Sequence, residues 1–158
     1  MSAALRGRAR FAVAVAVVLS AILVLALAPG ANANADQRFG RRRQMLALTN
    51  DDREARDRAN LGFAARLSRY AKQHSRSMAE EGYLFHSTDD QLRHALDGYS
   101  WGIGGENVGV GGSLESLESA FMASKLHREN ILRREFDHAA VGVVRSDGRI
   151  WVTVIFYG

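Results

Sequence analysis

The closing strand limits the possible folds more than any other stretch. From Ile150 to Tyr157 the chain reads Ile-Trp-Val-Thr-Val-Ile-Phe-Tyr, and strand alternation sends Ile150, Val152, Val154 and Phe156 to one face and Trp151, Thr153, Ile155 and Tyr157 to the other. A half-exposed strand would alternate apolar with polar residues. Here both faces are apolar, so both need cover, and a sheet covered twice is a three-layer arrangement. Ala139 to Val144 supplies a second strand, and Asp147-Gly148 between the two is a strong two-residue hairpin signal. The expected fold is α+β, a three-layer α-β-α sandwich around a central, mainly antiparallel sheet.

The covering layers must come from earlier in the chain. From Gln44 to about Arg58, the spacing of Met45, Leu48 and Ala55 among charged residues predicts an amphipathic helix. The helical period lapses between Asn60 and Ala64, with Gly62 marking a turn, and a second helix is expected from Ala65 to Glu81. Leu67, Ala71, His74 and Met78 form its inner stripe, Arg66, Arg69 and Arg76 lie outside, and Gly82 stands where a C-terminal cap belongs. On such a stripe His74 reads as a hydrogen-bonded core residue, not a ligand. Thr88 and Gln91 form a capping box for a short helix through Leu96. Ser113 then caps a helix from Leu114 to about Leu126, with Leu114, Leu117 and Phe121 inward, which sets Ser124 and His127 one turn apart if the helix continues.

Residues 1–10 contain Arg6, Arg8 and Arg10 and no acid, and Phe11 to Ala28 is apolar apart from Ser20. Pro29-Gly30 breaks the run, and Ala31 to Ala35 holds two overlapping Ala-x-Ala frames. This is the layout of an export signal. Cleavage after Ala33 or Ala35 is expected, making residues 1–35 a signal peptide and 36–158 the mature domain. An uncleaved anchor is the alternative, since the run reaches the lower limit for spanning a bilayer. The domain is then secreted and extracellular, or held at the outer face of the cytoplasmic membrane, and the membrane is a partner only during export or through this segment. With no cysteine among 158 residues, a disulfide framework, a cysteine zinc site and a thiol nucleophile are all excluded. The net charge of +4 falls close to neutral without the three leading arginines, which removes the electrostatic case for nucleic acid.

Ser100 to Gly112 gathers glycines around Glu106, which suggests a shaped functional turn. His86 precedes it and His127 follows it, and the three residues are expected to meet in one cleft. A phosphate loop is excluded, because no Gly-Lys-Ser/Thr follows and Glu106 would repel a phosphate. Neither a Gly-x-Ser-x-Gly elbow nor a His-Glu-x-x-His helix is present. Two histidines and a glutamate could still form a three-ligand metal site with water in the fourth position, as in catalytic zinc; the bland alternative has His86 capping a helix and His127 bonded to backbone.

The order of several segments resembles the CAP superfamily. They are Leu46, Leu48, Asn50 and Arg53; Leu67 to Ala71 with His74 and Met78; Phe85-His86-Ser87; Gly105-Glu106-Asn107; Phe121 to Ser124; His127 to Leu132; Val141-Gly142-Val143; and Trp151 to Phe156. That superfamily comprises cysteine-rich secretory, antigen 5 and pathogenesis-related 1 proteins, whose domain is also called SCP-like. The chain is similar to its short bacterial branch from about Arg43 to Gly158. The resemblance implies an α-β-α sandwich whose surface cleft holds two histidines and two acids, which bind zinc in some members. His86, Glu106 and His127 match three of these positions; Ser124 stands where many eukaryotic members carry the second glutamate, and Phe121 where the family often has Trp.

Members are linked to lipid or sterol binding, to metal and to proteolysis, so the resemblance fixes no reaction. The expectation is a secreted, non-enzymatic module that binds a lipid or cell-envelope component in a cleft containing His86, Glu106, Ser124 and His127, with no catalytic residue. One alternative is a metal-dependent hydrolase in which His86 and His127 hold zinc and Glu106 ligates it or activates water. The other is an extracellular scaffold that contacts proteins.

Overall fold

Asp147 and Gly148 both take positive φ, 49° and 73°, as a hairpin turn matched to the twist of its strands requires. Around this turn the computed structural model describes residues 31–158, with side chains from Gly40 onward. In chain order the elements are α1 (Ala31–Glu54), β1 (Gly62–Phe63), α2 (Ser68–Glu81), α3 (Asp89–Ala95), β2 (Gly104–Gly111), α4 (Leu114–Ala123), α5 (Lys125–Leu132), β3 (His138–Ser146) and β4 (Arg149–Tyr157). The expected export run up to Gly30 lies outside the described residues, and the Ala-x-Ala frames fall at the start of α1.

The sheet order is β1-β3-β4-β2; β4 pairs antiparallel with both neighbours, and β1 pairs parallel with β3. Central β4 is buried from Ile150 to Tyr157, as its two apolar faces demand. On one side Met45, Leu117, Phe121 and Ile131 of α1, α4 and α5 pack against Val141, Val152, Val154 and Phe156. On the other, Ala71 of α2 and Leu96 at the end of α3 pack against Ala140, Ile155 and Tyr157. Burying one such aliphatic side chain stabilises by roughly 1.5–3 kcal/mol, while a disulfide contributes about 2–4 kcal/mol, so packing replaces the missing cysteines.

Helix α2 lies unusually close to the sheet. A Cβ on Gly142 would fall on the backbone carbonyl of Ala71, so only glycine permits this approach. Ser68 Oγ accepts from Val141 N–H at 3.0 Å and donates to Ala64 O at 2.8 Å. Gly82 closes the helix in the left-handed conformation, φ 77°, donating to Met78 O.

Helix α1 is fastened by a buried cation. Arg53, 1% exposed, donates from Nε to Ala59 O (2.7 Å), from Nη1 to Ile131 O (2.6 Å) and Arg133 O (2.9 Å), and from Nη2 to Phe136 O (3.1 Å). Burial and the nearby Arg58 lower its pKa. The carbonyl dipoles take the place of a carboxylate. Nearby, Glu118 of α4 is 3% exposed; its Oε2 accepts from Thr49 Oγ1 at 3.1 Å and its Oε1 has no partner. Burial, with Asp52 adding to it, pushes this carboxyl up to about 7.

Several expectations are corrected here. Gly62 belongs to a two-residue strand, not a turn, too short to show a period. Helix α1 starts before Gln44 and ends at Glu54, leaving Ala55 exposed beyond it. Helix α2 starts at Ser68, not Ala65. The helix from Leu114 does not run on to Leu126: Ser124 takes an extended conformation, φ −81° and ψ 126°, and separates α4 from α5. Ser124 and His127 therefore do not share one uninterrupted helical face.

Candidate functional site

The glycine-rich stretch is an edge strand, not a turn. Its register pairs Glu106 with Ile155 and Asn107 with Val154, so alternation sends Glu106 toward the α2–α3 layer and Asn107 toward the α4–α5 layer. The glycines make room: a Cβ on Gly109 would sit 2.9 Å from the Phe121 ring.

Glu106 organises the first layer. Its side chain is 4% exposed. Oε1 accepts from His86 Nδ1 and from Ser87 N–H, both at 2.9 Å, and Oε2 accepts from Ser87 Oγ at 2.8 Å. Ser87 Oγ is reached in turn by Tyr70 O–H at 3.2 Å. His74 Nε2 lies 3.9 Å from Oε2 but 3.0 Å from Phe85 O; a carbonyl only accepts, so Nε2 carries the proton there. His74 is thus the hydrogen-bonded core residue expected, clamping the segment that leads to His86. The capping box of Thr88 and Gln91 forms and starts α3 directly after this segment.

His86 differs from its partner in exposure, its side chain being 57% exposed. With Nδ1–H donated to Glu106, the neutral ring keeps Nε2 as a free acceptor. His127 comes from the opposite layer, its ring edge-on to Phe121 at 5.0 Å. Burial lowers its pKa, and the charge of His86 lowers it further, so the two imidazoles sense each other around the strand edge. Asn107 Nδ2 donates to His127 O at 3.1 Å, and Asn130 Nδ2 donates to Asn107 Oδ1 at 2.9 Å and to Glu106 O at 3.3 Å. Ser124 makes no side-chain cap on α5.

The residues do not fit a zinc site built from His86, Glu106 and His127. Among the described residues no group of three or more His, Cys, Asp or Glu side chains is placed to hold a metal ion. The reason is strand alternation: Glu106 points into one layer while His127 belongs to the other, and both Glu106 oxygens already accept hydrogen bonds. The structure brings His86 onto Glu106 and His127 within electrostatic range of His86, and no further.

The family model for cysteine-rich secretory proteins (CAP) matches residues 46–156. The chain belongs to the CAP family. The Bacillus subtilis (strain 168) protein YkwD is 32% identical over 116 residues, which is 69% of this chain and 44% of YkwD; the chain thus spans less than half of that relative. Similar solved structures include an extracellular SCP-domain protein from Bacillus anthracis, with TM-score 0.67, 23% identity and coverage of 81% of this chain and 43% of that one. An outer surface protein from Borrelia burgdorferi gives TM-score 0.64 and 16% identity, covering 73% and 90%. At these identities the structural likeness shows the fold.

Three residues of this CAP domain's site had no assigned role in the sequence: Ser87, Asn107 and Asn130. Ser87 makes two of the contacts to Glu106, and its signal was its place beside His86 in the Phe85-His86-Ser87 segment. Asn130 lies one helical turn after His127, a spacing that would have placed both on the face of α5 toward β2 had the break at Ser124 been legible.

Proposed function

We propose that this CAP domain is an exported, non-catalytic module that binds a cell-envelope component with a lipid-like part at the rim where His86 and His127 approach each other. The observation that carries this reading is the full engagement of Glu106. Its two oxygens accept from Ser87 N–H, Ser87 Oγ and His86 Nδ1, so the carboxylate acts as a holder of the 86–87 segment and not as a base facing water. What it holds out is an exposed imidazole. Tyr83 and Leu84 shortly before His86, and Leu126 directly before His127, are exposed large apolar residues, Leu126 at 73%. Exposed apolar side chains close in sequence to two titratable rings suit a ligand with a hydrocarbon part and a polar head. Export is supported by relatives described as extracellular or outer-surface proteins.

The test is native mass spectrometry of the protein recovered from its secretion medium, together with a peptide and ester turnover panel. A retained organic ligand, lost in Leu126→Asp, and no turnover are expected. Turnover that disappears in a folded Glu106→Gln variant would instead establish an enzyme, and recovery of ligand-free protein would refute the binding reading.

A further inference from the structure

A concavity of about 370 Å³ opens between α3 and the start of β2, within the size range of small-ligand sites. Leu92, Leu96 and Ile103 supply its apolar lining and Trp101 an aromatic one; Asp89 and Arg93 supply its charges. Asp89 and Arg93 are one helical turn apart, acid first, the order that favours an ion pair. They form none. Among the described residues, neither the Asp89 carboxylate, the Arg93 guanidinium nor the Trp101 indole N–H has a side-chain hydrogen bond or ion pair. The Asp89 and Arg93 side chains are exposed to water and Trp101 is half-buried, so an acceptor and two kinds of donor stand, solvated, around one hollow that mixes polar with apolar lining.

We propose that this hollow is a saccharide-binding subsite, separate from the histidine rim. A sugar ring offers a C–H face that lies against an indole and against aliphatic carbons. Its hydroxyls donate and accept together, so they satisfy Asp89, which only accepts, and Arg93 and Trp101, which only donate. An acyl chain would leave all three polar groups unpaired on desolvation, and a simple phosphate would meet the like charge of Asp89.

The experiment titrates the full chain with N,N′,N″-triacetylchitotriose, cellotriose and maltotriose by calorimetry, with leucine and inorganic phosphate as controls. Of the two tryptophans, Trp101 and Trp151, Trp151 is buried in the core, so a ligand-dependent fluorescence shift reports Trp101. Saturable binding of at least one trisaccharide with such a shift is expected. Arg93→Ala and Asp89→Asn should each weaken it about five- to tenfold, Trp101→Phe should weaken it without unfolding, and Leu126→Asp, on the exposed surface of α5, should leave it unchanged. The proposal is overturned if no trisaccharide binds, if Arg93→Ala binds as wild type does, if leucine or phosphate binds in preference, or if Leu126→Asp alone abolishes binding.

Discussion

Replacing Glu118 with glutamine tests whether the core holds a carboxyl that resists ionisation. Glu118 is held at about 7 against an ordinary value of 4.5, which costs the folded, ionised form about 3 kcal/mol. The folded state binds this proton more tightly than the unfolded chain. Stability from this group is therefore untouched below pH 4.5, is lost as pH rises from 4.5 through about 7, and stays lost above that. The glutamine side chain cannot ionise and keeps an acceptor for Thr49. Any constant cost of its buried amide is the same at every pH, so the informative quantity is the difference in stability between about pH 4.5 and about pH 8. Urea unfolding at both values should show wild type losing about 3 kcal/mol more than Glu118→Gln across that interval. Groups that titrate in both proteins cancel in this comparison. Parallel pH profiles for the two proteins would refute the reasoning and place Glu118 in contact with water.

Arg53→Lys keeps the charge but cannot serve four carbonyls spread over a guanidinium fork; a loss of about 2–4 kcal/mol in chemical denaturation is expected, and a loss below about 0.5 kcal/mol would contradict the clamp. Gly142→Ala forces a methyl onto the Ala71 carbonyl and should destabilise by about 3 kcal/mol or more, with near-UV dichroism changing as α2 lifts; native-like stability would count against the close packing. By NMR, His127 should titrate below 6.5, and His86→Ala should raise its midpoint without restoring 6.5, because burial is the larger cause. The neutral ring is the one the fold prefers, so the stability linked to His127 is present above 6.5 and lost as pH falls through its lowered midpoint. An unmoved midpoint in His86→Ala would separate the two rings.

The parts of the fold that were legible in the sequence are those where local chemistry and tertiary packing ask for the same residue. Asp147-Gly148 suits a turn with two positive φ values, and Gly82 and the Thr88–Gln91 pair cap the helices they border. The closing strand's double apolar face demanded two covering layers and has them. What stayed hidden has physical reasons too. Strand β1 is two residues long, so no periodicity exists to detect. Glycines at 104, 105, 109 and 111 erase the polar-apolar alternation that would have marked β2 as a strand and Glu106 and Asn107 as facing opposite ways. Ser124 ends a helix with neither Gly nor Pro to announce it. Arg53 occupies a core position against the usual preference of arginine for water, because its partners are backbone carbonyls and carry no residue identity.

The arginine clamp also orders events in time. The partners of Arg53 at Ile131, Arg133 and Phe136 lie about 80 residues downstream, so a chain emerging amino end first carries an unsatisfied cation on α1 until almost the whole domain has appeared. The β3–β4 hairpin, by contrast, closes across a two-residue turn. Contacts this distant in sequence form late, since the loop entropy is lost before they compensate for it. Pulse-labelled hydrogen exchange should therefore find protection in β3 and β4 before α1, and simultaneous protection would argue against this order. Until Ile131 to Phe136 have arrived, the nascent chain lacks three of the four carbonyls that fasten Arg53, and its first helix is held only by nearby partners such as Ala59 and Leu61.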